Sequence, residues 1–439
     1  MTAAPSTATS MAATPLAAPP APSKPTYNPD LQRQAILLRD ALQSDRVRIG
    51  LFLGAGCPLG VYDDKDEKSL GLIPDVAKLT TNLYASLQAQ DGALAADKKS
   101  VPCWNSLVQA CRDGGDASPN VENILTELRA ITGRKGTKPL DGIDKERFRT
   151  LDDIVCDLIS AEVGKSLPPH ICSYTRLATW VGGVQRSAPV DIFTPNYDLL
   201  IEEAFERQRI PHFDGFVGSR EPFFDIASIE QDAVPRRWAR LWKLHGSINW
   251  QLRDDGDVFR AQGRAAKGKA MIYPSHLKYD QSRRMPYLAM IDRLRAFFRI
   301  AGPRASFGPP VLVVCGYSFS DEHLNEVLLD GLRGNPSAQC FALQYKSLSE
   351  SPELIRLASA HPNMTVLAHD GAVVGTRSGK YGPLPTLADP SEVWLDSGPA
   401  ATGSVAPTLC RLGDFHYFAL FLEQLYGGRS EIDNVATRP

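Results

Sequence analysis

Asp191-Ile-Phe-Thr-Pro-Asn-Tyr-Asp198 and Leu241-Trp-Lys-Leu-His-Gly-Ser247 are the two stretches that decide the fold. Each is an apolar run that turns polar within one or two positions. A buried parallel strand has this pattern when it ends at the carboxyl edge of an open α/β sheet, where such sheets bind ligands. The first edge carries an amide and a carboxylate (Asn196, Asp198), and the second carries an imidazole (His245). An imidazole that accepts a proton, beside an amide that holds a water or a hydroxyl, is suited to breaking a bond.

Six near-continuous apolar runs of strand length predict an α/β fold with a doubly wound, Rossmann-like parallel sheet of about six strands. Strands that are apolar on both faces belong to parallel sheets covered by helices. Helical patterns such as 321–332 and 352–360 separate the later runs. The six runs are 47–53, 189–193, 240–244, 311–315, 340–344 and 364–368.

The gap between the first two strands, about 74–185, is too long for one crossover helix, so we interpret it as an inserted helical module over the sheet edge. Residues 205–239 are expected to form irregular aromatic loops. A last helix, 414–426, has a wide apolar stripe that could pack either on its own sheet or on a second subunit. The helical segments expected within the insertion are 76–90, 121–131, 148–162 and 171–181.

Bulk composition excludes several classes of protein. The formal net charge is −2, so there is no polycationic surface and no direct signal for nucleic acid or for an anionic membrane. No apolar stretch approaches the ~20 residues that span a bilayer. The eight cysteines include no C-x-x-C pair, which argues against a zinc ribbon and a disulfide framework and favours reduced thiols in the cytoplasm.

Residues 1–26 are rich in Ala, Pro, Thr and Ser and carry no positive charge before Lys24. A secretory signal needs a basic start with an apolar core, and a transit peptide needs arginines. We therefore expect a disordered tail at 1–26, followed by one folded α/β unit over 27–439.

Gly54-Ala-Gly56 follows the first strand, where a dinucleotide fold needs glycine for a sharp turn and a close approach to a pyrophosphate. The third glycine of the G-x-G-x-x-G pattern is displaced to Gly60. By itself this motif also fits a plain tight turn.

Gly316-Tyr-Ser-Phe-Ser-Asp-Glu-His-Leu-Asn325 follows another very apolar strand. Ser320 could cap a helix there, with two acids in its first turn. Those acids would repel phosphate, so any contact of this loop with a nucleotide should be to a ribose or a base. Simple structural roles are also open for His245 as a core histidine and for Asp198 as a helix cap.

Five motifs in this order resemble the signature of the sirtuin family. The resemblance implies a sirtuin fold and NAD as the ligand. It implies that Gly54, Ala55 and Gly56 hold the diphosphate, that Asp75 and Asp198 hold the nicotinamide end, and that Thr194 is among the NAD-binding residues. Asn196 would order the nicotinamide ribose or a water, and His245 would act as a base on the ribose. Gly316, Tyr317 and Ser318 would line the adenosine side, and Gly371 would lie near the adenine. The motifs are Gly54-Ala-Gly56, Ile73-Pro-Asp75, Thr194-Pro-Asn-Tyr-Asp198, Lys243-Leu-His-Gly246 and Gly316-Tyr-Ser318.

The sequence also departs from sirtuin deacylases. Those enzymes carry a four-cysteine zinc module after the H-G motif, and no cysteine lies between His245 and Cys315 here. The family's Phe-Arg after the I-P-D motif is replaced by Val76-Ala77. This pattern is similar to the zinc-free sirtuin-like subunits of prokaryotic anti-phage systems, which consume NAD.

The resemblance therefore implies an enzyme, an NAD glycohydrolase that uses no metal and cleaves its substrate NAD to nicotinamide and ADP-ribose. It also implies a gated defence effector that works as a homo-oligomer, with a partner such as a translocase ATPase or a short Argonaute. Two alternatives stay open. One is deacylation or ADP-ribosylation of a protein, and the other is a non-catalytic subunit that senses NAD or ADP-ribose.

Overall fold

The computed structural model describes most of the chain between residues 27 and 425. The expected tail at 1–26 lies outside the described residues. The described ranges are 27–63, 68–92, 99–133, 141–183, 186–231, 234–253, 257–263, 270–272, 286–299, 308–383, 392–398 and 406–425.

The chain contains both helices and strands, as the sequence predicts for an α/β fold, and the two alternate from α9 to β12. The helices are α1 Leu31–Gln43, α2 Val76–Asp91, α3 Val101–Asp113, α4 Val121–Gly133, α5 Lys145–Val163, α6 Ser173–Gly183, α7 Leu200–Arg207, α8 Ile226–Glu230, α9 Tyr287–Phe298, α10 Glu322–Gly334, α11 Pro352–Ser359 and α12 Phe415–Leu425. The strands are β1 Arg48–Leu53, β2 Asp191–Thr194, β3 His212–Phe213, β4 Phe216–Val217, β5 Phe223–Phe224, β6 Ala239–Lys243, β7 Gly246–Leu252, β8 Val258–Arg260, β9 Ala270–Ile272, β10 Pro310–Cys315, β11 Gln339–Leu343, β12 Met364–Leu367, β13 Gly371–Val374, β14 Arg377–Lys380, β15 Leu395–Ser397 and β16 Thr408–Cys410.

The main sheet has nine strands in the order β14-β13-β12-β11-β10-β1-β2-β6-β3. The strands from β12 to β3 in this order pair in parallel, while β13 and β14 extend the edge as an antiparallel hairpin. All six strands expected from the sequence are present and adjacent. The fold class is therefore confirmed, and the sheet is larger than the six strands that the apolar runs indicate.

Helices cover both faces of this sheet, which is why the central strands are largely apolar. Along β1, Leu51 and Leu53 belong to one hydrophobic core, while Phe52 between them belongs to the core on the opposite face. Successive side chains of a strand point to opposite faces, so a strand buried on both sides must be continuously apolar. This is the doubly wound arrangement.

In the described parts of the region between β1 and β2, the chain forms five helices, α2 to α6. Helices α2 to α5 pack on one another, whereas α6 packs against α7 and α12. One of the five, α3, does not correspond to any of the expected helical segments. It begins with Val101-Pro102 and buries Cys103, Trp104 and Leu107.

The aromatic region expected to be irregular is instead partly ordered as short strands. β4 and β5 join β7, β8 and β9 in a second sheet of five strands, and β3 adds to the edge of the main sheet. The expectation of irregular loops over 205–239 is therefore wrong for these segments. Strands of two residues are too short to show an alternating pattern.

The last helix, α12, packs inside the chain. Its contacts are with α6, with α1 and with the 3₁₀ turn Cys57–Gly60 that follows β1. Of the two alternatives for its apolar stripe, packing on the chain's own fold is the one observed. The residues of the stripe that are buried in this way are Phe415, Phe418, Ala419, Phe421 and Leu422.

None of the helices in the described ranges combines the length and the apolar character that a membrane span requires.

Candidate functional site

The candidate site lies where the direction of winding reverses. From β1 the chain builds outward through β2 and β6 on one side, and later through β10, β11 and β12 on the other. The connections that follow β1 and β10 therefore lead to strands on opposite sides of the sheet. Open α/β sheets bind ligands in the crevice at such a switch point.

The loops after β1 and β10 touch through their backbones. Gly56 N–H donates to the carbonyl of Gly316 at 2.8 Å, and Gly54 N–H donates to the carbonyl of Cys315 at 2.9 Å. A Cβ on Gly54 would lie 2.7 Å from the Cα of Tyr317, and a Cβ on Gly56 would lie 2.9 Å from the Cα of Gly316. The two glycines are thus required first for contact between the loops, and Ala55 between them is half-buried.

Thr194 and Asn196 attach the end of β2 to the same glycine turn. The Thr194 hydroxyl donates to the carbonyl of Leu53 at 2.7 Å and accepts from the backbone N–H of Asn196 at 3.1 Å. The Asn196 amide donates to the carbonyl of Gly54 at 3.1 Å. Its NH₂ group is thereby fixed, which leaves the amide oxygen of this half-buried residue to accept from a ligand or a water.

Asp198 is buried beneath this edge. Its carboxylate accepts from the backbone N–H of Leu200 at 3.0 Å, at the start of α7. Burial raises the pKa of the carboxyl from 3.8 to about 6, against the opposing effects of the Lys243 ammonium and the Leu200 N–H. The buried Lys243 amine donates to the backbone carbonyl of Asp198 and lies 3.1 Å from Glu202 Oε1. The Asp198 carboxylate therefore bonds the first residue of α7, while the N-cap position of that helix is Leu199, one residue later.

His245 lies in the two-residue turn between β6 and β7, one residue before Gly246, whose φ of +96° favours glycine. Its ring is buried, and its Nε2 lies 3.1 Å from Oδ2 of Asp321. Its ring centroid is 6.5 Å from that of Tyr197, the residue after Asn196. The register pairs Thr194 with Lys243, so Asn196 and His245 each stand two residues beyond paired positions on adjacent strands.

The loop after β10 has its own small core. The Tyr317 ring is buried against Phe52 and Phe319 at centroid distances of 4.7 and 4.9 Å, and its hydroxyl lies 3.0 Å from the Asn325 side-chain oxygen. Phe319 has a φ of +57°, an uncommon conformation for a bulky residue. The side chain of Tyr317 thus supports the loop, whereas Ser318 is exposed at the edge.

Two of the sequence-predicted residues have their described contacts elsewhere. Asp75 is exposed and accepts from the backbone N–H of Lys78 at 2.8 Å, as the N-cap of α2. Gly371 begins β13 and pairs with Lys380 of β14. The loops that meet at β1 therefore bring together Gly54, Gly56, Thr194, Asn196 and the Gly316 turn, while these two residues lie at other elements.

Residues 190–366 match the family model of the SIR2-like domain. The chain carries a sirtuin-like domain. The matched range begins beside β2 and ends in β12, so it includes Asn196, His245 and the Gly316 turn. The SIR2-like domain indicates NAD-dependent activity in general.

A solved structure described as the structural basis for the mechanism and regulation of Sir2 enzymes is similar at 10% sequence identity, covering 73% of this chain and 88% of that chain, with a TM-score of 0.27. No curated protein sequence matches the chain.

Two acidic residues near the SIR2-like site were not predicted as site residues. Asp321 caps α10 and also faces His245, and Glu122 from α4 accepts from the Tyr197 hydroxyl at 3.2 Å. Sequence reasoning could have identified Asp321 only from its position after the Gly316 motif. The second comes from the helical insertion, whose position over the sheet edge the sequence does not fix.

Metal ligands do not gather within the described ranges of the chain. No group of three or more His, Cys, Asp or Glu side chains there could hold a metal ion. All eight cysteines are free thiols, and seven of them are buried.

Proposed function

We propose that the SIR2-like domain of this chain is an NAD glycohydrolase, which converts NAD and water to nicotinamide, ADP-ribose and a proton. The observation that carries the proposal is the shared edge of β2 and β6. It holds the Asn196 amide against the glycine turn and the His245 imidazole two residues beyond the paired positions. These are the two groups needed to position and to deprotonate a nucleophile.

The chemistry requires little beyond these groups. When the bond between nicotinamide and the ribose C1′ breaks, its electron pair goes to the pyridinium ring, and positive charge develops on the sugar. A water held by the Asn196 amide oxygen attacks C1′, and its proton passes to His245 and then to solvent. Gly54, Ala55 and Gly56 would lie against the diphosphate. The Gly316 turn, with Ser318 exposed, would lie against the adenosine side.

Two sequence departures favour water over an acyl-peptide as the acceptor. The cysteine quartet of sirtuin deacylases has no counterpart between His245 and Cys315, and Val76-Ala77 replaces the family's Phe-Arg. In those enzymes the zinc module helps hold a peptide that binds by strand addition. Deacylation, ADP-ribosylation of a protein and non-catalytic sensing of NAD or ADP-ribose are the competing outcomes of the test below.

The test is release of nicotinamide and ADP-ribose from NAD by the purified chain, followed by chromatography. We expect turnover without any peptide, and a fall of about 10²–10⁴-fold in His245→Ala, the range of positioned base catalysis. His212→Ala, on β3 at the opposite end of β6, is the matched control and should keep full activity. NAD binding without cleavage would favour the sensing alternative, and turnover only with an acyl-peptide or a protein acceptor would favour the transfer alternative.

We further propose that this activity serves as a gated effector of prokaryotic anti-phage defence in the cytoplasm, in a homo-oligomer with a partner such as a translocase ATPase or a short Argonaute. An unrestrained NAD hydrolase would exhaust the NAD of its own host, so the site needs a gate.

We infer that residues 27–439 form one NAD-binding unit with the insertion 74–185 and the last helix 414–426, and that the insertion supplies the gate. The contact of Glu122 with Tyr197, next to Asn196, supports this role.

The cellular test compares the chain expressed alone and together with its genomic neighbour, with NAD measured during phage infection. We expect NAD to fall only in infected cells that carry the active pair, and to stay level with Asn196→Ala. A level NAD pool in infected cells that carry the unaltered pair would contradict the defence role, and a monomer by light scattering would contradict the oligomer.

A further inference from the structure

His245 has a carboxylate partner from a distant part of the chain. Its Nε2 lies 3.1 Å from Oδ2 of Asp321, and the two side chains are 5% and 10% exposed. The imidazole N–H is not aligned on this oxygen as in a linear hydrogen bond, so the pair is a close polar contact. Catalytic hydrogen bonds are often misaligned in the absence of substrate and tighten when it binds.

Asp321 is itself fixed by the helix that it begins. Its other oxygen, Oδ1, accepts from the backbone N–H groups of His323 and Leu324 at 3.0 and 3.1 Å, as the N-cap of α10. Its backbone carbonyl lies 3.2 Å from the Tyr317 hydroxyl. With Oδ1 occupied at the helix end, Oδ2 has a defined position facing the imidazole.

We propose that Asp321 is a positioning residue for His245, an inference that rests on the proposed hydrolase function. Its Oδ2 holds the imidazole with the proton on Nε2, which leaves Nδ1 as the basic nitrogen. When that nitrogen takes a proton from the attacking water, the carboxylate stabilises the imidazolium. A third group that orients the base is the arrangement found in other base-assisted hydrolases.

Asp321→Asn separates this role from the helix cap. Asparagine caps helices about as well as aspartate, so its oxygen is expected to stay on the N–H groups of His323 and Leu324. Its NH₂ group then faces Nε2 of His245, which must become an acceptor and move its proton to Nδ1. In serine proteases the equivalent change keeps the geometry and lowers kcat about 10⁴-fold through the wrong tautomer.

The experiment measures NAD turnover and the ¹⁵N spectrum of histidine-labelled protein, with His245 assigned from a His245→Gln variant. In the unaltered protein we expect the proton of His245 on Nε2. In Asp321→Asn we expect it on Nδ1, with kcat lowered about 10²-fold or more and KM changed little, because Asp321 acts through His245 and not on NAD. Glu322→Gln, an exposed carboxylate one residue further along α10, is the matched control and should leave kcat and the spectrum unchanged.

A kcat within twofold of the unaltered value in folded Asp321→Asn would overturn the proposal, and so would a His245 proton on Nδ1 in the unaltered protein. An unfolded variant is recognised by circular dichroism, and the spectrum of the unaltered protein then decides alone. The two measurements also distinguish the two proposals. Absence of nicotinamide release would contradict the hydrolase function, whereas the position of the His245 proton would still test the pairing of His245 with Asp321.

Discussion

The side-chain amide of Asn196 donates a hydrogen bond to the backbone carbonyl of Gly54 at 3.1 Å, which joins the end of β2 to the turn after β1. Thr194 makes a parallel link to Leu53 at 2.7 Å. Two neighbouring strands are therefore tied to one glycine turn at the point where they present their polar residues. This explains how a half-buried amide can have a fixed orientation, since one of its two N–H donors is already engaged by the Gly54 carbonyl.

Replacing Asn196 should lower both the stability and the activity of the chain. In Asn196→Asp the donor to the Gly54 carbonyl is lost and a carboxylate faces a carbonyl oxygen, so we expect both stability and activity to fall. In Asn196→Ala the bond is simply absent, and we expect a loss of about 1 kcal/mol in the free energy of unfolding together with an activity loss of 10²-fold or more. Urea unfolding and nicotinamide release measure the two effects, and an alanine variant with normal turnover would contradict the assignment.

The contact between the two glycine loops gives a second prediction. A methyl group at Gly54 would lie 2.7 Å from the Cα of Tyr317, and backbone cannot move aside as a flexible side chain can. We expect Gly54→Ala to lower the free energy of unfolding by about 2 to 3 kcal/mol and to weaken NAD binding. Gly334→Ala is the control, because an added methyl group there meets no atom within 4 Å. Equal stability of the two variants would show that the loops are not in close contact.

The sequence predicts the fold where burial is two-sided. β1, β2, β6, β10, β11 and β12 are recognisable because each contains a near-continuous apolar run, and their order fixes the carboxyl edge. In contrast, β14 is mostly exposed and β3 to β5 have two residues each, so neither has a pattern that indicates a strand. Packing on the neighbouring strand, not propensity, determines these elements.

The residues of the candidate site could likewise be predicted from the sequence only in part. The placement of Asn196 and His245 follows from the register of β2 and β6, because residues just after parallel strands share one edge. The pairing of His245 with Asp321 does not follow, since it depends on how far the turn after β10 reaches across that edge. In the sequence Asp321 is indistinguishable from an ordinary first-turn acid, and Glu122 is one of many charges on a helical insertion.

The link between the insertion and the site gives a third prediction. The Tyr197 hydroxyl donates to Glu122 of α4 at 3.2 Å, and burial together with this carboxylate raises the pKa of the Tyr197 phenol well above its ordinary value. We expect Tyr197→Phe to cost about 1 to 2 kcal/mol of unfolding free energy, because a hydrogen bond to a charged group is lost. If the insertion restrains the site, NAD turnover by the chain alone should also change. Tyr345→Phe, at an exposed tyrosine, is the control and should change neither quantity.

A fourth prediction concerns metal and acyl-peptides. We expect no stoichiometric zinc by elemental analysis, no loss of NAD turnover after chelation, and no appreciable NAD-dependent removal of acetyl groups from peptides. The physical reason is the missing cysteine quartet, together with the absence, within the described ranges, of any group of three or more His, Cys, Asp or Glu side chains that could hold a metal ion. About one tightly bound zinc per chain would contradict the first expectation, and robust deacetylation would contradict the last.

The buried carboxyl of Asp198 predicts a dependence of stability on pH. Its pKa in the folded chain is about 6, raised by burial from 3.8, so the folded state holds a proton that the unfolded chain releases between these values. Stability should therefore fall as pH rises from about 4 to about 6 and stay lower above that range, by an amount on the order of 3 kcal/mol at most.

In Asp198→Asn the acceptor for the Leu200 N–H is kept but the titration is removed, so this part of the dependence should vanish and the variant should be the more stable above pH 6. Asp144→Asn, at the exposed N-cap of α5, is the control. Urea unfolding at pH 5 and pH 7.5 measures the difference, and parallel pH profiles for the unaltered chain and Asp198→Asn would show that Asp198 is ionised throughout.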